Sequence, residues 1–479
     1  MDIERMNMTM LTDFYELTMA NGYFKSGVAE QIAYFDLFFR NIPDKGGFAI
    51  AAGLEQVIHY LQNLHFTDDD IDFLKTKNIF QEDFLDYLKN FKFTCDMWAI
   101  PEGTPIFPCE PIITVRGPVV QAQFIETMLL LLINHQSLIA TKASRIVRAA
   151  GGRYVMEFGT RRAHGASAAI YGARAAYIGG CVGTACTISE RDLGIEALGT
   201  MAHSWVQMFR NEYDAFKRYA EIYPDNCTLL VDTYNVIRSG IPNAIRVFKE
   251  LKPRKMGIRI DSGDVTYLSK IARMMLDEAG LQDCSIVASN SLDEYIIRDV
   301  ITQGAKIDGF GVGERLITSK SDPVFGGVYK LAAVEENGEI SPRMKISENV
   351  GKITNPGFKK VYRLYRKSDN RVVADVITLD HEVLPNDNLE IFDPAFTWKR
   401  MCLTDFYARD LRVMVFKNGE LLYKCPDIDE IRAYSKAEID TLWEESLRFE
   451  NPPVYYVDLS AELWELRAKM ILEYQASAY

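Results

Sequence analysis

Apolar positions recur along this chain in two rhythms, and the way these alternate predicts its layout. In residues 136–335, short apolar runs are each followed by polar or glycine residues and then by a helical pattern. Arg153 to Phe158 reads as a strand, followed by small, helix-compatible residues from Ala163 to Ala176. Thr228 to Val231 runs into Asp232-Thr233. Gly257 to Ile260 runs into Asp261-Ser262-Gly263-Asp264 and an amphipathic helix from Tyr267 to Ala279. Ser285 to Ala288 leads to Ser289-Asn290 and a helix from Asp293 to Gln303, and Ile307 to Phe310 leads to Gly311-Val312-Gly313. Repeated strand, polar turn and helix predict a parallel α/β sheet or barrel whose ligand sits at the carboxyl ends of the strands. Roughly 200 residues is short for eight such units, so an irregular, shortened TIM-like α/β barrel is expected.

Residues 1–135 and 336–479 follow another pattern. Leu54 to Leu64 has the spacing of an amphipathic helix, and Thr67 before Asp68-Asp69-Asp70 predicts a helix entry with carboxylates at its positive end. From Ile100 to Pro118, prolines and glycines punctuate alternating apolar residues, which predicts short strands and tight turns. Gln121 to Ala150 predicts one or two buried helices. In the last region, Lys360–Tyr365 with Arg371–Ile377, and Arg412–Phe416 with Glu420–Tyr423, predict two hairpins, the second turning at Asn418-Gly419. Ser435-Lys436-Ala437-Glu438 reads as a capping box opening a helix towards Phe449, and Ser460 to Tyr474 as a final helix. The two flanking regions are expected to build one β-rich α+β domain, with the barrel inserted between them.

Charge and cysteines narrow the function. With 66 acidic against 54 basic residues the net charge is −12, which argues against nucleic acid as a partner. Anionic substrates must therefore meet local arginines, lysines or a metal ion. Eight cysteines without CxxC pairs read as reduced thiols, and Met1-Asp2-Ile3-Glu4-Arg5 lacks the layout of a signal peptide. The longest apolar run, Met128 to Ile133, is far shorter than a membrane span, so a cytoplasmic protein without a membrane partner is expected.

The candidate chemistry gathers at the predicted strand ends. Among six histidines, His203 stands out in Gly199-Thr200-Met201-Ala202-His203-Ser204, where small residues leave room for a phosphorylated ligand. A neutral imidazole accepts a phosphoryl group well, although a small-residue turn with an incidental histidine has the same sequence. Arg161-Arg162 can grip carboxylate or phosphate, or else pair with Glu157 or another acidic residue. Arg259 and Asp261 share one face of their strand, and Asp232 ends a neighbouring one. Asp261 or Asp264 can hold ribose hydroxyls or a magnesium ion; alternatively Ser262 and Asp264 simply cap the following turn. Gly309, Gly311 and Gly313 permit a phosphate nest, a weak signal by itself.

With these residues assembled, the chain closely resembles the nicotinate phosphoribosyltransferases, a type II phosphoribosyltransferase family. The resemblance runs through Thr12-Asp13-Phe14-Tyr15, Phe38-Phe39-Arg40-Asn41-Ile42-Pro43 and Glu157-Phe158-Gly159-Thr160-Arg161-Arg162-Ala163-His164. It continues through the Gly199–Ser204 segment, Arg259-Ile260-Asp261-Ser262-Gly263-Asp264 and Gly326-Gly327-Val328-Tyr329-Lys330-Leu331. It implies an irregular α/β barrel with a β-rich domain, and transfer of the phosphoribosyl group of phosphoribosyl pyrophosphate to nicotinate. ATP is the implied co-substrate, with magnesium, and His203 is the implied phosphohistidine. The implied catalytic pair is His203 and Asp261. Tyr15, Phe158, Arg161, Thr200, Arg259, Ser289, Asn290, Gly311 and Gly313 are the implied substrate contacts, and Asp261 and Asp264 the implied metal ligands. Family members are typically homodimers with shared sites, in which the segment around Tyr15 reaches the partner's barrel. One departure is Glu314, where the family often carries a small hydroxyl residue near the phosphate; a carboxylate there must turn elsewhere. A nicotinamide phosphoribosyltransferase is the nearest rival. A quinolinate enzyme, shorter and without ATP, and a catalytically silent metabolite sensor stand further off.

Overall fold

The apolar runs of the middle region become parallel strands, and alternate residues along them bury one face of the sheet in the core. Ile258, Ile260, Ile286, Ala288, Phe310 and Val312 are all buried in this way. The computed structural model describes residues 7–477, so the Met1–Arg5 reading lies outside the described residues. The chain forms two units: Ile139–Pro323, and a second joining the chain before that segment to the chain after it.

The inner unit is built on a six-stranded sheet. Its spatial order is Gly183–Thr184, Tyr154–Glu157, Gly309–Val312, Ser285–Ser289, Met256–Ile260 and Cys227–Leu230. Every pairing is parallel. The sheet has two free ends, a half-barrel in place of a closed ring of eight, as the short middle region predicts. Parallel pairing brings all the carboxyl ends to one edge, which converts polar residues scattered through the sequence into neighbours. The Asp264 and Asp293 side chains cap the helices Val265–Glu278 and Glu294–Thr302 that follow two of these strands.

The other unit is β-rich and drawn from both ends of the chain. In its seven-stranded antiparallel sheet, Ile32–Phe39 lies between Ile113–Pro118 and Gly327–Glu336, and Val413–Lys417 pairs with Asp96–Ala99. The Gly327–Glu336 strand, which the sequence places with the middle region, belongs to this sheet because its partner is Ile32–Phe39. A second sheet orders Phe406–Asp410, Lys359–Arg366, Val372–Leu379 and Val457–Leu459. Both predicted hairpins form, with Asn418 and Gly419 at φ 49° and 78° in the left-handed region their turn requires. The helix expected to open at Ser435 instead runs Ile428–Asp440. Asp427 and Glu430 form the capping box, and Ser435 and Glu438 are buried within the helix. Two boxes match the same pattern, and the upstream one prevails because it lets Ile431 reach the core. The stretch Val119–Ala149 is helical, long and apolar enough to cross a membrane by length and composition, and 61% of that apolar window is buried within the protein.

Glu16, on the helix Phe14–Lys25, is buried and accepts hydrogen bonds from the Thr12 hydroxyl and from the Thr127 hydroxyl at 2.6 Å. Burial outweighs these bonds and pushes its carboxyl up to about 7. A raised folded-state value means that the protonated form favours folding. That contribution is complete below the ordinary carboxyl value of 4.5 and is lost as pH climbs to about 7. Glu16→Gln should therefore flatten the fall in stability between these two values, read from urea midpoints at successive pH. An unchanged pH profile would remove Glu16 as its source.

Candidate active site

Arg259 ends the Met256–Ile260 strand with its side chain only 14% exposed. One Nη donates to the Thr200 hydroxyl at 2.6 Å, and the other lies 4.0 Å from Asp261 Oδ2. Its Nε is buried with no partner. Burial lowers the pKa of this guanidinium, Asp261 and Asp232 oppose that shift, and the nearby charge of Arg161 adds to it. An arginine so placed has a buried donor left over for an anionic ligand beside the distant Asp261 carboxylate.

The carboxylates are held from two neighbouring strands. Asp232, after Cys227–Leu230, accepts the Asp261 amide at 3.2 Å and the Ser262 hydroxyl at 2.5 Å through Oδ2, leaving Oδ1 buried without a partner. The Ser289 hydroxyl, at the end of the next strand, donates to Asp261 Oδ1. Asp261 Oδ2 thus faces both Arg259 and His203, whose Nε2 lies 3.9 Å away. His203 opens the short helix His203–Gln207, its Nδ1 is 3.1 Å from the Thr233 hydroxyl, and its side chain is 41% exposed. When Nδ1 carries the proton and donates to Thr233, Nε2 presents its lone pair towards solvent and Asp261. The segment before it is tied down by the Tyr219 hydroxyl, which donates to the Thr200 carbonyl at 3.2 Å.

The remaining residues divide. Arg161 is exposed and within electrostatic reach of Arg259. The alternative ion pair with Glu157 does not form, since that carboxylate accepts the Gly159 amide and, at 2.6 Å, the Thr184 hydroxyl. Asn290 directly follows the Ser285–Ser289 strand at φ 95°, a region that few residues other than glycine adopt. Gly309 and Gly311 lie inside a strand paired on both sides, so their amides serve the ladder and do not form a phosphate nest. They are glycines for space: a Cβ at Gly311 would fall 2.5 Å from the Phe158 ring, and one at Gly309 would fall 2.0 Å from that of Tyr154. Only Gly313 lies beyond the strand, before the short helix Glu314–Ile317. Glu314 turns away to Lys320 at 2.6 Å, which settles the clash its charge raised. Asp264 caps its helix, its Oδ1 accepting the Thr266 and Tyr267 amides at 3.0 and 3.1 Å. The carboxylate bonded to the Asp261 backbone is Asp232, the neighbouring strand end the sequence also singles out. Among the described residues, no group of three or more His, Cys, Asp or Glu gathers as a metal cage. Tyr15 lies in the other unit, 44% exposed on its helix. Sequence reasoning missed Thr233 as the partner of His203; its one signal is a hydroxyl directly after Asp232 at a strand end.

Three family models cover most of the chain: the nicotinate phosphoribosyltransferase N-terminal domain over residues 10–134, the family proper over 154–363 and the C-terminal domain over 358–467. A nicotinate phosphoribosyltransferase of Bacillus subtilis is 46% identical over 470 residues, spanning 98% of this chain and 96% of the relative. A human one is 31% identical and spans 95% of each. The crystal structure of human nicotinic acid phosphoribosyltransferase superposes with a TM-score of 0.84 at 28% identity, over 96% of this chain and all of that one. A nicotinate-nucleotide pyrophosphorylase from Pyrococcus furiosus shares the fold, with a TM-score of 0.70 at 23% identity over 92% of this chain and 97% of that one. Matched along nearly its whole length by relatives of one activity, the chain belongs to the nicotinate phosphoribosyltransferase family.

Proposed function

We propose that this chain forms nicotinate mononucleotide and pyrophosphate from nicotinate and phosphoribosyl pyrophosphate, coupled to ATP hydrolysis through a phosphohistidine at His203. The observation that carries the reading is the buried, half-satisfied guanidinium of Arg259, which shares the Asp261 carboxylate with the accessible His203 imidazole. The nicotinate ring nitrogen attacks the anomeric carbon as the bond to pyrophosphate breaks. Arg259 and Arg161 hold anionic groups of the substrates, and Thr200 aligns the Arg259 fork. Asp261 and Asp232 are placed for ribose hydroxyls or a metal. Two carboxylates, one with an unpartnered buried oxygen, suit magnesium, which keeps waters and takes one or two carboxylates plus substrate phosphates. Asp261 and Asp232 would hold such an ion, which would supply charge neutralisation for the pyrophosphate leaving group.

The test is product formation from nicotinate or nicotinamide, with and without ATP. Nicotinate should be preferred by at least about a hundredfold in kcat/KM, because a neutral amide leaves a buried cation unpaired. ADP should appear with the mononucleotide. Equal use of nicotinamide would favour the rival enzyme, and indifference to ATP would remove the coupling.

The assembly proposed is a homodimer in which Tyr15 forms an aromatic wall of the partner's site. Tyr15→Ala should then weaken nicotinate use, and mixing it with a His203→Ala protomer should restore activity through one intact composite site. No recovery, with subunit exchange confirmed, would assign Tyr15 to its own chain's site or to none.

A further inference from the structure

The β-rich unit holds a cavity of about 240 Å³ walled by its two larger sheets. Asp36 enters it from the Ile32–Phe39 strand, and Arg467 from the helix Ala461–Ser477. Cys109, Thr354, Asn355 and Lys359 also line it. Two of the charges cancel. Lys359 Nζ lies 2.8 Å from Asp36 Oδ2, both side chains being almost fully buried. Asp36 also accepts the Thr114 hydroxyl at 2.7 Å, and Lys359 also donates to the Gly357 carbonyl at 2.5 Å. That pair is satisfied and needs no ligand. Arg467 is different: its Nε is buried without a partner. Burial pulls its pKa down, and the group that opposes this is the Cys109 thiol, with no carboxylate acting on it. The cavity therefore carries a positive charge that no carboxylate pairs, on a partly buried arginine with one buried donor left over, and such a desolvated donor gains when an anion meets it.

The geometry points to this cavity as a binding site for a small oxyanion, a carboxylate or a phosphate, held by Arg467 beside Cys109. Its volume admits an ion or a single-ring acid and excludes a nucleotide. Asn355 and the Thr354 hydroxyl offer further hydrogen bonds, while the apolar walls at Phe38 and Leu459 suit the body of an organic acid. This site is independent of the reaction proposed above and lies wholly within the β-rich unit.

Cys109 is exposed enough to report occupancy. Its alkylation in the full-length protein is to be followed peptide by peptide by mass spectrometry, with benzoate, inorganic phosphate or neutral benzamide added at constant ionic strength. An anion at about ten times its Kd should slow Cys109 labelling about tenfold, by mass action on the free form. Arg467→Gln should abolish the protection. Protection by benzoate alone identifies an organic carboxylate as the ligand, and protection by phosphate alone identifies phosphate. The proposal is overturned if neither anion protects the wild-type protein, if benzamide protects as well as benzoate, or if a folded Arg467→Gln protein is protected equally. The wild-type arms decide the matter even if that variant does not fold.

Discussion

His203→Ala is expected to abolish ATP hydrolysis and acid-labile phosphorylation of the protein, while ribosyl transfer persists slowly without ATP. In the proposed cycle the Nε2 lone pair forms a bond to the γ-phosphorus as the bond to ADP breaks, and water later cleaves the phosphoramidate to release phosphate. Alanine removes the only atom that can accept the group, so this half of the chemistry has no residual route. Attack at the anomeric carbon uses the nicotinate nitrogen as nucleophile and pyrophosphate as leaving group, and neither step needs the imidazole. What transfer loses is the ordering that phosphorylation provides, set here at about 10- to 1000-fold in kcat/KM, or about 1.4–4 kcal/mol. His203 is 41% exposed and opens a helix of only five residues, so the substitution leaves no buried cavity and the variant should fold. Thr233 supports the same assignment from the other side of the ring, because its hydroxyl engages Nδ1 and leaves Nε2 as the reactive nitrogen. The measurement is labelling with γ-labelled ATP, followed by product formation with and without ATP. Equal labelling of wild type and variant would place the phosphoryl acceptor elsewhere.

Arg259→Lys should cost about 1–3 kcal/mol of transition-state stabilisation, or roughly 5- to 150-fold in kcat/KM for nicotinate. Lysine keeps the charge, so any loss measures the planar fork alone. In the wild-type protein one arm of that fork is fixed by Thr200 at 2.6 Å and the other is directed towards Asp261, which leaves Nε unpartnered. An ammonium group cannot make the Thr200 bond and present a second donor in the same plane. Burial adds to the effect, because at 14% exposure solvent cannot replace the missing donors. Thr200→Val removes the aligning hydroxyl while keeping the guanidinium and should show a smaller loss of the same kind. Wild-type kinetics in Arg259→Lys would take Arg259 out of the site.

Much of this protein is determined locally and was legible in its sequence. The strands at Tyr154–Glu157, Met256–Ile260 and Ser285–Ser289 are short, mostly apolar runs, each ending in polar or glycine residues before a helical pattern, which is the local signature of a parallel α/β sheet. The Thr67 capping box and the Asn418-Gly419 turn are dictated by side-chain hydrogen bonding and backbone conformation within a few residues. His203, Arg259 and Asp261 could be singled out for the same reason, as polar residues that end apolar runs or sit among small ones. Tertiary structure decided the rest, because spatial order is not a property of neighbours in sequence. The parallel sheet sets Asp232 beside Asp261, 29 positions apart, while Asp264 caps the helix that follows. It places the Phe158 ring over Gly311, which turns an apparent phosphate nest into a space requirement. The Gly327–Glu336 strand looks like a continuation of the inner unit until its antiparallel partner Ile32–Phe39 is seen. Ser435-Lys436-Ala437-Glu438 satisfies every local rule for a helix start, yet lies inside a helix, because burial of Ile431 and Ser435 outweighs a cap that Asp427 can equally provide. Local rules thus set which residues can take each role, and long-range packing selected among them.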